Sequence, residues 1–222
     1  PDIQHTGKEI CVASNEDTVT VVDVSDKSLP VMLSRTSYPG VAYIHQAWLS
    51  EDHGWLLVDD EGDETDNFHN TRTYVFDMSD LDQPLLSSAY TSQLGAVDHN
   101  QYVVGNLSYQ ANYTAGLRIL DISDIANGRL CELASFDVYP ADDSAAFAGA
   151  WSVYPFFPSG TVIVSSMDGL AVVRPDLSAA TCTGQGANNG HAWFAADPAQ
   201  VSDQYLTMAA PLSFVAGATL KF

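Results

Sequence analysis

Three stretches of this chain carry one pattern. VTVVDVSDKSLPVMLSRTSY begins at Val19, RTYVFDMSDLDQPLLSSAYTS at Arg72 and LRILDISDIANGRLCELASFD at Leu117. Each is a β-rich run, then Asp-x-Ser-Asp, then a turn, then a second β-rich run. The first Asp falls at Asp23, Asp77 and Asp121, giving spacings of 54 and 44 residues. A worn fourth copy, GLAVVRPDLSAA from Gly169, has Arg174 in place of that Asp and Asp176 in place of the Ser. Repetition at this period marks a supersecondary unit that buries its apolar faces by stacking on copies of itself.

A further strand pair precedes the second, third and fourth copies. YIHQAWLSEDHGWLLVDDE, VDHNQYVVGNLSYQANYTAG and AGAWSVYPFFPSGTVIVSSMDG all read as strand, tight turn, strand. Gly, Asn, Asp and Pro stand where the turns require them. Each unit is therefore four antiparallel strands, and helical periodicity is nearly absent. The expected fold is all-β: a β-propeller of four-stranded blades. The Asp-x-Ser-Asp is expected to be structural, its side chains accepting backbone N–H bonds after the third strand.

Residues 1–175 hold about three and a half blades, because KEICVASNE reads as a second strand and the first blade lacks its innermost one. Propellers close with four to eight blades, so further propeller sequence is expected beyond this stretch. Residues 176–190 read as a linker. Residues 191–222 alternate like the first strands of a β-sandwich.

Composition narrows the partners. With 28 acids against 8 bases the net charge is −20, which repels nucleic acid and anionic lipid. No apolar run approaches the ~18 residues of a membrane span. The opening PDIQHTGKEICVASNED has no initiator Met and no secretion signal, and reads as an internal stretch. Cys11, Cys131 and Cys182 make an odd count, so one thiol is expected to lack a partner here. Asn106-Leu-Ser and Asn112-Tyr-Thr are glycosylation acceptors if the source is eukaryotic.

Two places could carry chemistry. The stretch VDDEGDETDNFHNTR, from Val58, packs Asp59, Asp60, Glu61, Asp63, Glu64 and Asp66 into eight positions. It reads as a long hairpin loop between second and third strands. Asp59, Asp60, Glu61, Asp63 and Glu64 are candidate calcium ligands, since calcium takes six to eight oxygens. The alternative is a solvated, mobile acidic loop. The second place is the start of each first strand, nearest the propeller axis. His45 and Gln46, Asp98, His99 and Asn100, and Trp151 would converge on one mouth of the channel, with Asp142 and Asp143 on the loop leading there. Such a ring could bind a ligand, metal or sugar, or could instead satisfy backbone groups and plug the channel. Trp48, Trp55, Trp151, Tyr74 and Phe76 are expected in the core, and His69 at the surface. No nucleophile elbow or His-Glu-x-x-His helix occurs.

The runs HQAWLSEDHGWLLVDDEGDE, HNTRTYVFDMSDLDQP, DHNQYVVGN, YQANYTAGLRILDISD, YPADDSAAFAGAWSVYPFFPSG and VIVSSMDGLAVVRP occur in order. They resemble the choice-of-anchor B family, secreted or surface-anchored proteins with LVIVD-type propeller repeats. The likeness runs from about Gly7 to Pro175. It implies an N-terminal propeller half with more blades and a signal peptide, and a partner for Cys11 in that half. It also implies acids at the positions of Asp59, Asp60, Glu61, Asp63 and Glu64. The tail resembles the opening strands of a jelly-roll module. The family implies no activity. The expectation is therefore an extracellular or cell-surface scaffold, non-enzymatic and calcium-stabilised, that binds other protein chains or surface polysaccharide. The alternatives are a secreted hydrolase working at the channel mouth and a carbohydrate-binding adhesin.

Overall fold

A computed structural model describes residues 2–178, 180 and 194–195. Four antiparallel sheets follow one another, each made of strands consecutive in sequence. The first holds β1 (Ile10–Ser14), β2 (Val19–Asp23) and β3 (Val31–Thr36). The second holds β4 (Ile44–Leu49), β5 (Trp55–Asp60), β6 (Arg72–Asp77) and β7 (Leu85–Thr91). The third holds β8 (Asn100–Val104), β9 (Leu107–Ala111), β10 (Leu117–Asp124) and β11 (Arg129–Phe136). The fourth holds β12 (Ala150–Tyr154), β13 (Val162–Ser166), β14 (Gly169–Arg174) and β15 (Phe194–Ala195). These are propeller blades. The first has three strands because β2 ends in the Asp23 motif and so occupies the third-strand place, which leaves β1 second.

Alternation along the strands places one core between each pair of blades. Val19 and Val21 meet Ile44, Leu56, Val58, Tyr74 and Phe76. Leu57, Val75 and Tyr90 meet Val103, Leu120 and Ile122. Tyr109, Leu117 and Ile119 meet Val153, Val162, Val164 and Val173. The middle strands of a blade are thus apolar on both faces, as the runs TYVF and LRIL require.

The repeated motif does what its chemistry suggests. The first Asp of each copy accepts from the N–H two residues on: Ser25 to Asp23 at 2.9 Å, Ser79 to Asp77 at 2.8 Å and Ser123 to Asp121 at 2.7 Å. In the worn copy Asp176 takes the role with Ser178, at 3.0 Å. A second repeated device was not legible in the sequence. The third and fourth strands slip register between Val21 and Val22, Val75 and Phe76, and Ile119 and Leu120, in each case two residues before the motif Asp. A bulge sharpens the twist of a blade, and all three full copies place it identically.

Several expectations need adjusting. Trp48 and Trp151 are 37% and 46% exposed rather than core, because they lie on innermost strands facing the channel. Trp55 is half-buried; Tyr74 and Phe76 are buried as expected. Asn112 is only 3% exposed and its amide donates to Gln110 Oε1 at 3.3 Å, so a glycan has no room there; Asn106 is exposed. Phe194 and Ala195 pair with Arg174 and Val173, so these two residues edge the fourth blade. The rest of the expected sandwich, and most of the linker, lie outside the described residues. Cys11 is free and exposed, whereas Cys131 is disulfide-bonded.

Candidate functional site

Two of the innermost strands begin with a bulge. Ile44 pairs with Asp60 and Gln46 with Asp59, which leaves His45 unpaired between them. Ala150 pairs with Ser166 and Ser152 with Ser165, which leaves Trp151 in the same situation. His99 precedes β8 directly. A bulged residue is turned out of the ladder, and here the turned side chains meet. The His45 and His99 rings stack with centroids 4.3 Å apart, and His99 lies 4.5 Å from the Trp151 ring and 5.0 Å from that of Tyr113.

Main-chain carbonyls fix both imidazoles. His45 Nδ1 is 2.9 Å from the His99 carbonyl, and His99 Nδ1 is 2.5 Å from the Trp151 carbonyl. A carbonyl only accepts, so His45 Nδ1 carries hydrogen; His99 Nδ1 stands between the Trp151 carbonyl, which accepts, and Asn100 Nδ2, which donates, 2.7 Å away, and which of the two it pairs with sets its tautomer. Both Nε2 atoms face Glu61, at 4.0 Å from Oε2 for His45 and 3.8 Å from Oε1 for His99. Tyr113 donates to Glu61 Oε1 at 2.5 Å. Burial, together with the neighbouring His45, holds the His99 imidazole below its ordinary range against the pull of the Trp151 carbonyl. Burial and donation to Glu61 push the Tyr113 hydroxyl up.

Tyr113 was not singled out from the sequence, and nothing local marks it. It is fully buried and sits at φ 31°. A non-glycine there is held by its surroundings. Its carbonyl accepts from Ala150 at 2.8 Å, and Gly149, at φ +94°, lets the two segments touch. A Cβ on Gly149 would stand 2.5 Å from the Tyr113 carbonyl oxygen. Gly149→Ala is expected to cost about 2–3 kcal/mol through strain and that clash. Urea unfolding checks this; a loss below about 0.5 kcal/mol, the range of neutral surface changes, would show that the approach is slack.

The acidic stretch is not a solvated loop. β5 continues through Asp60 and is followed by a short helix, α1 (Asp63–Asp66), and Asp59, Asp60, Asp63 and Glu64 are all buried. The reason for the extra strand length lies elsewhere in the chain. Asp60 accepts from Tyr38 Oη at 2.7 Å and from the backbone N–H groups of Ala42 and Tyr43, the latter at 2.5 Å. Asp60 is thus committed to structure, and Glu61 turns to the histidines. Asp59, Asp63 and Glu64 face Asp98, which is buried among them, while Asp66 is exposed.

Those four buried acids are under-satisfied. Gln101 donates to Asp59 Oδ1 at 2.6 Å and Tyr74 to Asp63 Oδ2 at 2.7 Å. Asp59 Oδ2, Asp63 Oδ1 and both oxygens of Glu64 and of Asp98 have no donor when all four are ionised, whereas a proton held by Glu64 can be shared with Asp63 beside it. His69 Nε2 lies 3.3 Å from Asp63 Oδ2, within ion-pair range but not aligned for a hydrogen bond. Burial, then the other acids, push Asp98 well above the carboxylate range. Burial pushes Asp59 the same way, with Gln101 opposing. Burial raises Asp63 to about 6 and, with Asp63 beside it, Glu64 to about 9.

Other expected ligands have other duties. Gln46 exchanges both amide atoms with the Gln101 main chain, at 2.9 and 3.1 Å, and so staples two blades. Asn100 donates to the Trp151 carbonyl at 3.0 Å. Asp142 is exposed and caps its own turn through Ser144, and Asp143 is exposed beside it. Of the channel-mouth residues expected from sequence, His45, His99 and Trp151 come together, and Glu61 joins them from the acidic stretch. Among the described residues, only His45–Glu61–His99 and the N-terminal group Asp2–His5–Asp82 bring three ligand atoms within 4.8 Å of one another. In the second group Asp2 is already spent on the backbone N–H groups of Gln4 and Leu81.

Comparison with known proteins agrees with the fold. The LVIVD repeat family matches residues 2–37 and 101–132, within the first and third blades. No curated protein matches the chain. A solved protein from Lactobacillus plantarum is similar at TM-score 0.60 and 20% identity, over 80% of this chain and 53% of that one. The periplasmic gluconolactonase of Pseudomonas aeruginosa is similar at 0.58 and 17%, over 80% and 53%. A putative 6-phosphogluconolactonase from Bacteroides fragilis is similar at 0.58 and 16%, over 82% and 54%. The chain therefore spans about half the length of these structures. At such identities the likeness concerns the fold, and the chain is a repeat-built, propeller-like all-β protein bearing LVIVD repeats.

Proposed function

We propose that this chain is part of an extracellular or cell-surface β-propeller of the choice-of-anchor B kind, a non-enzymatic scaffold for binding, adhesion or matrix assembly that calcium holds rigid. Its partners are other protein chains or surface polysaccharide. One observation carries the reading: Asp59, Asp63, Glu64 and Asp98 are buried together and, once ionised, offer six carboxylate oxygens with no donor. Buried carboxyls without donors are costly to ionise, so they hold their protons unless a cation compensates the charge. Calcium needs six to eight oxygens at 2.3–2.6 Å, and since no three of these acids bring ligand atoms within 4.8 Å of one another as they stand, the ion would draw the carboxylates together. The bonded cysteine and the net charge of −20 fit an oxidising, cation-rich exterior.

Thermal melts of the intact protein in calcium and in chelator, at fixed ionic strength, test this. Linkage gives about 2.7 kcal/mol of stabilisation at 100 times the dissociation constant. Asp98→Asn combined with Glu64→Gln should melt higher than the parent in chelator, because repulsion is relieved, and should ignore calcium. A parent that melts identically with and without calcium would remove the basis of the proposal.

A second reading, a secreted hydrolase, is favoured by the His45–Glu61–His99 group at the channel mouth. Two of the similar structures carry gluconolactonase names. Turnover of lactones and esters that Glu61→Gln abolishes at unchanged melting temperature would select it over the scaffold.

A further inference from the structure

We propose that His45, His99 and Glu61 bind one divalent transition-metal ion of the zinc class at the channel mouth, with at least one coordination position left open. The site is separate from the calcium belt, and either can fail alone.

The argument starts from what each donor atom has left to do. His45 Nδ1 is spent on a carbonyl, so its lone pair sits on Nε2; His99 Nδ1 lies between the Trp151 carbonyl and Asn100 Nδ2, and metal at Nε2 requires that it keep its hydrogen for the carbonyl. This is how metal-binding histidines are held, the second nitrogen fixing tautomer and ring angle. Both Nε2 atoms face one carboxylate, and their 3.8 and 4.0 Å separations from it are too long for hydrogen bonds. The Tyr113 hydroxyl holds that carboxylate from the other side, which supplies the outer support a ligating carboxylate needs. An ion about 2.0–2.2 Å from each donor in tetrahedral geometry would set nitrogen and oxygen roughly 3.3 Å apart. Closing the gap takes about half an ångström, well within side-chain rotation.

Donor type selects the ion. Two imidazoles and a carboxylate suit zinc, iron or nickel, whereas calcium and magnesium prefer all-oxygen sites. Three protein ligands leave the fourth position of a tetrahedral ion for water or a ligand. The half-exposed Trp151 and exposed Phe147 stand beside the cluster as an aromatic rim for whatever binds there.

The test is calorimetric titration of zinc into the chelator-stripped intact protein, with calcium present in excess to occupy the acid belt. One equivalent should bind. His45→Gln and Glu61→Gln should each weaken binding at least 100-fold, and Tyr113→Phe by about 10–100-fold, the usual effect of losing an outer partner. Glu61→Gln conserves shape, and a cooperative thermal melt of the metal-stripped variant controls for folding. Imidazole nitrogen NMR supplies a direct reading, in which zinc should move the Nε2 resonances of His45 and His99 and leave His5 and His53 unmoved. Absence of zinc uptake by the parent, unchanged affinity in Glu61→Gln, or shifts confined to other histidines would each overturn the assignment.

Discussion

In chelator, the protein should melt at a lower temperature at pH 8 than at pH 5.5. The sign follows from the buried acids. Asp63 titrates at about 6 in the fold against 3.8 for a free side chain, and Glu64 at about 9 against 4.5; Asp59 and Asp98 are also raised. Raised carboxyl groups keep protons that the unfolded chain has released. The native state then binds more protons than the unfolded one, and stability falls as pH rises. The loss spreads from the unfolded values near 4 up to about 9. Each unit of displacement is about 1.4 kcal/mol, so the swing is on the order of several kcal/mol. For a chain of this size each kcal/mol moves the midpoint by roughly 2–4 °C. Calcium should flatten the profile, because it binds the ionised form and displaces those protons. The calcium-induced shift should therefore be larger at pH 8 than at pH 5.5. Asp60, Glu61, His69 and Tyr74 face the same group, so the profile belongs to the cluster rather than to one residue. Equal midpoints at both pH values in chelator would mean that the acids are hydrated and unstrained.

The second large effect lies in the third blade. Arg118 donates from Nη1 to Glu132 Oε1 at 3.0 Å and from Nε to the Ala115 carbonyl at 3.1 Å, and both side chains are buried. Burial raises Glu132, and Arg118 pulls it back. Arg118→Ala would strand a buried carboxylate, at a cost of about 3–5 kcal/mol. Replacing both partners, as Arg118→Met with Glu132→Leu, removes the stranded charge and should recover most of that loss. Urea unfolding of the single and double variants decides the matter. If the single variant loses under 1 kcal/mol, or the double is no better than the single, the pair is solvated in practice.

The blades were legible because their information is local. Asp23, Asp77 and Asp121 mark third-strand ends, and turn residues mark the rest. The bulge two residues before each motif was not legible, since strand sequences with and without one look alike. The acidic stretch was conspicuous, but its burial was hidden. Apolar patterning stops at Val58, and what extends the strand to Asp60 is the N–H pair of Ala42 and Tyr43, far away in sequence. The channel cluster was half visible. His45, His99 and Trp151 share a repeat position, whereas Glu61 and Tyr113 reach them only through inter-blade packing. Gln46 and Asn100 look like ligands in sequence because side chains that pair with backbone and side chains that bind solutes are the same residue types.

Among the described residues every ladder joins strands adjacent along the chain, while blades meet through side chains and a few inner-strand bonds such as Gln46 to Gln101. Short loops close early and cheaply during folding. Each blade is therefore a unit that assembles from its own sequence, and docking of blades is the later, cooperative step. Amide exchange in native conditions should accordingly release in blocks one blade wide.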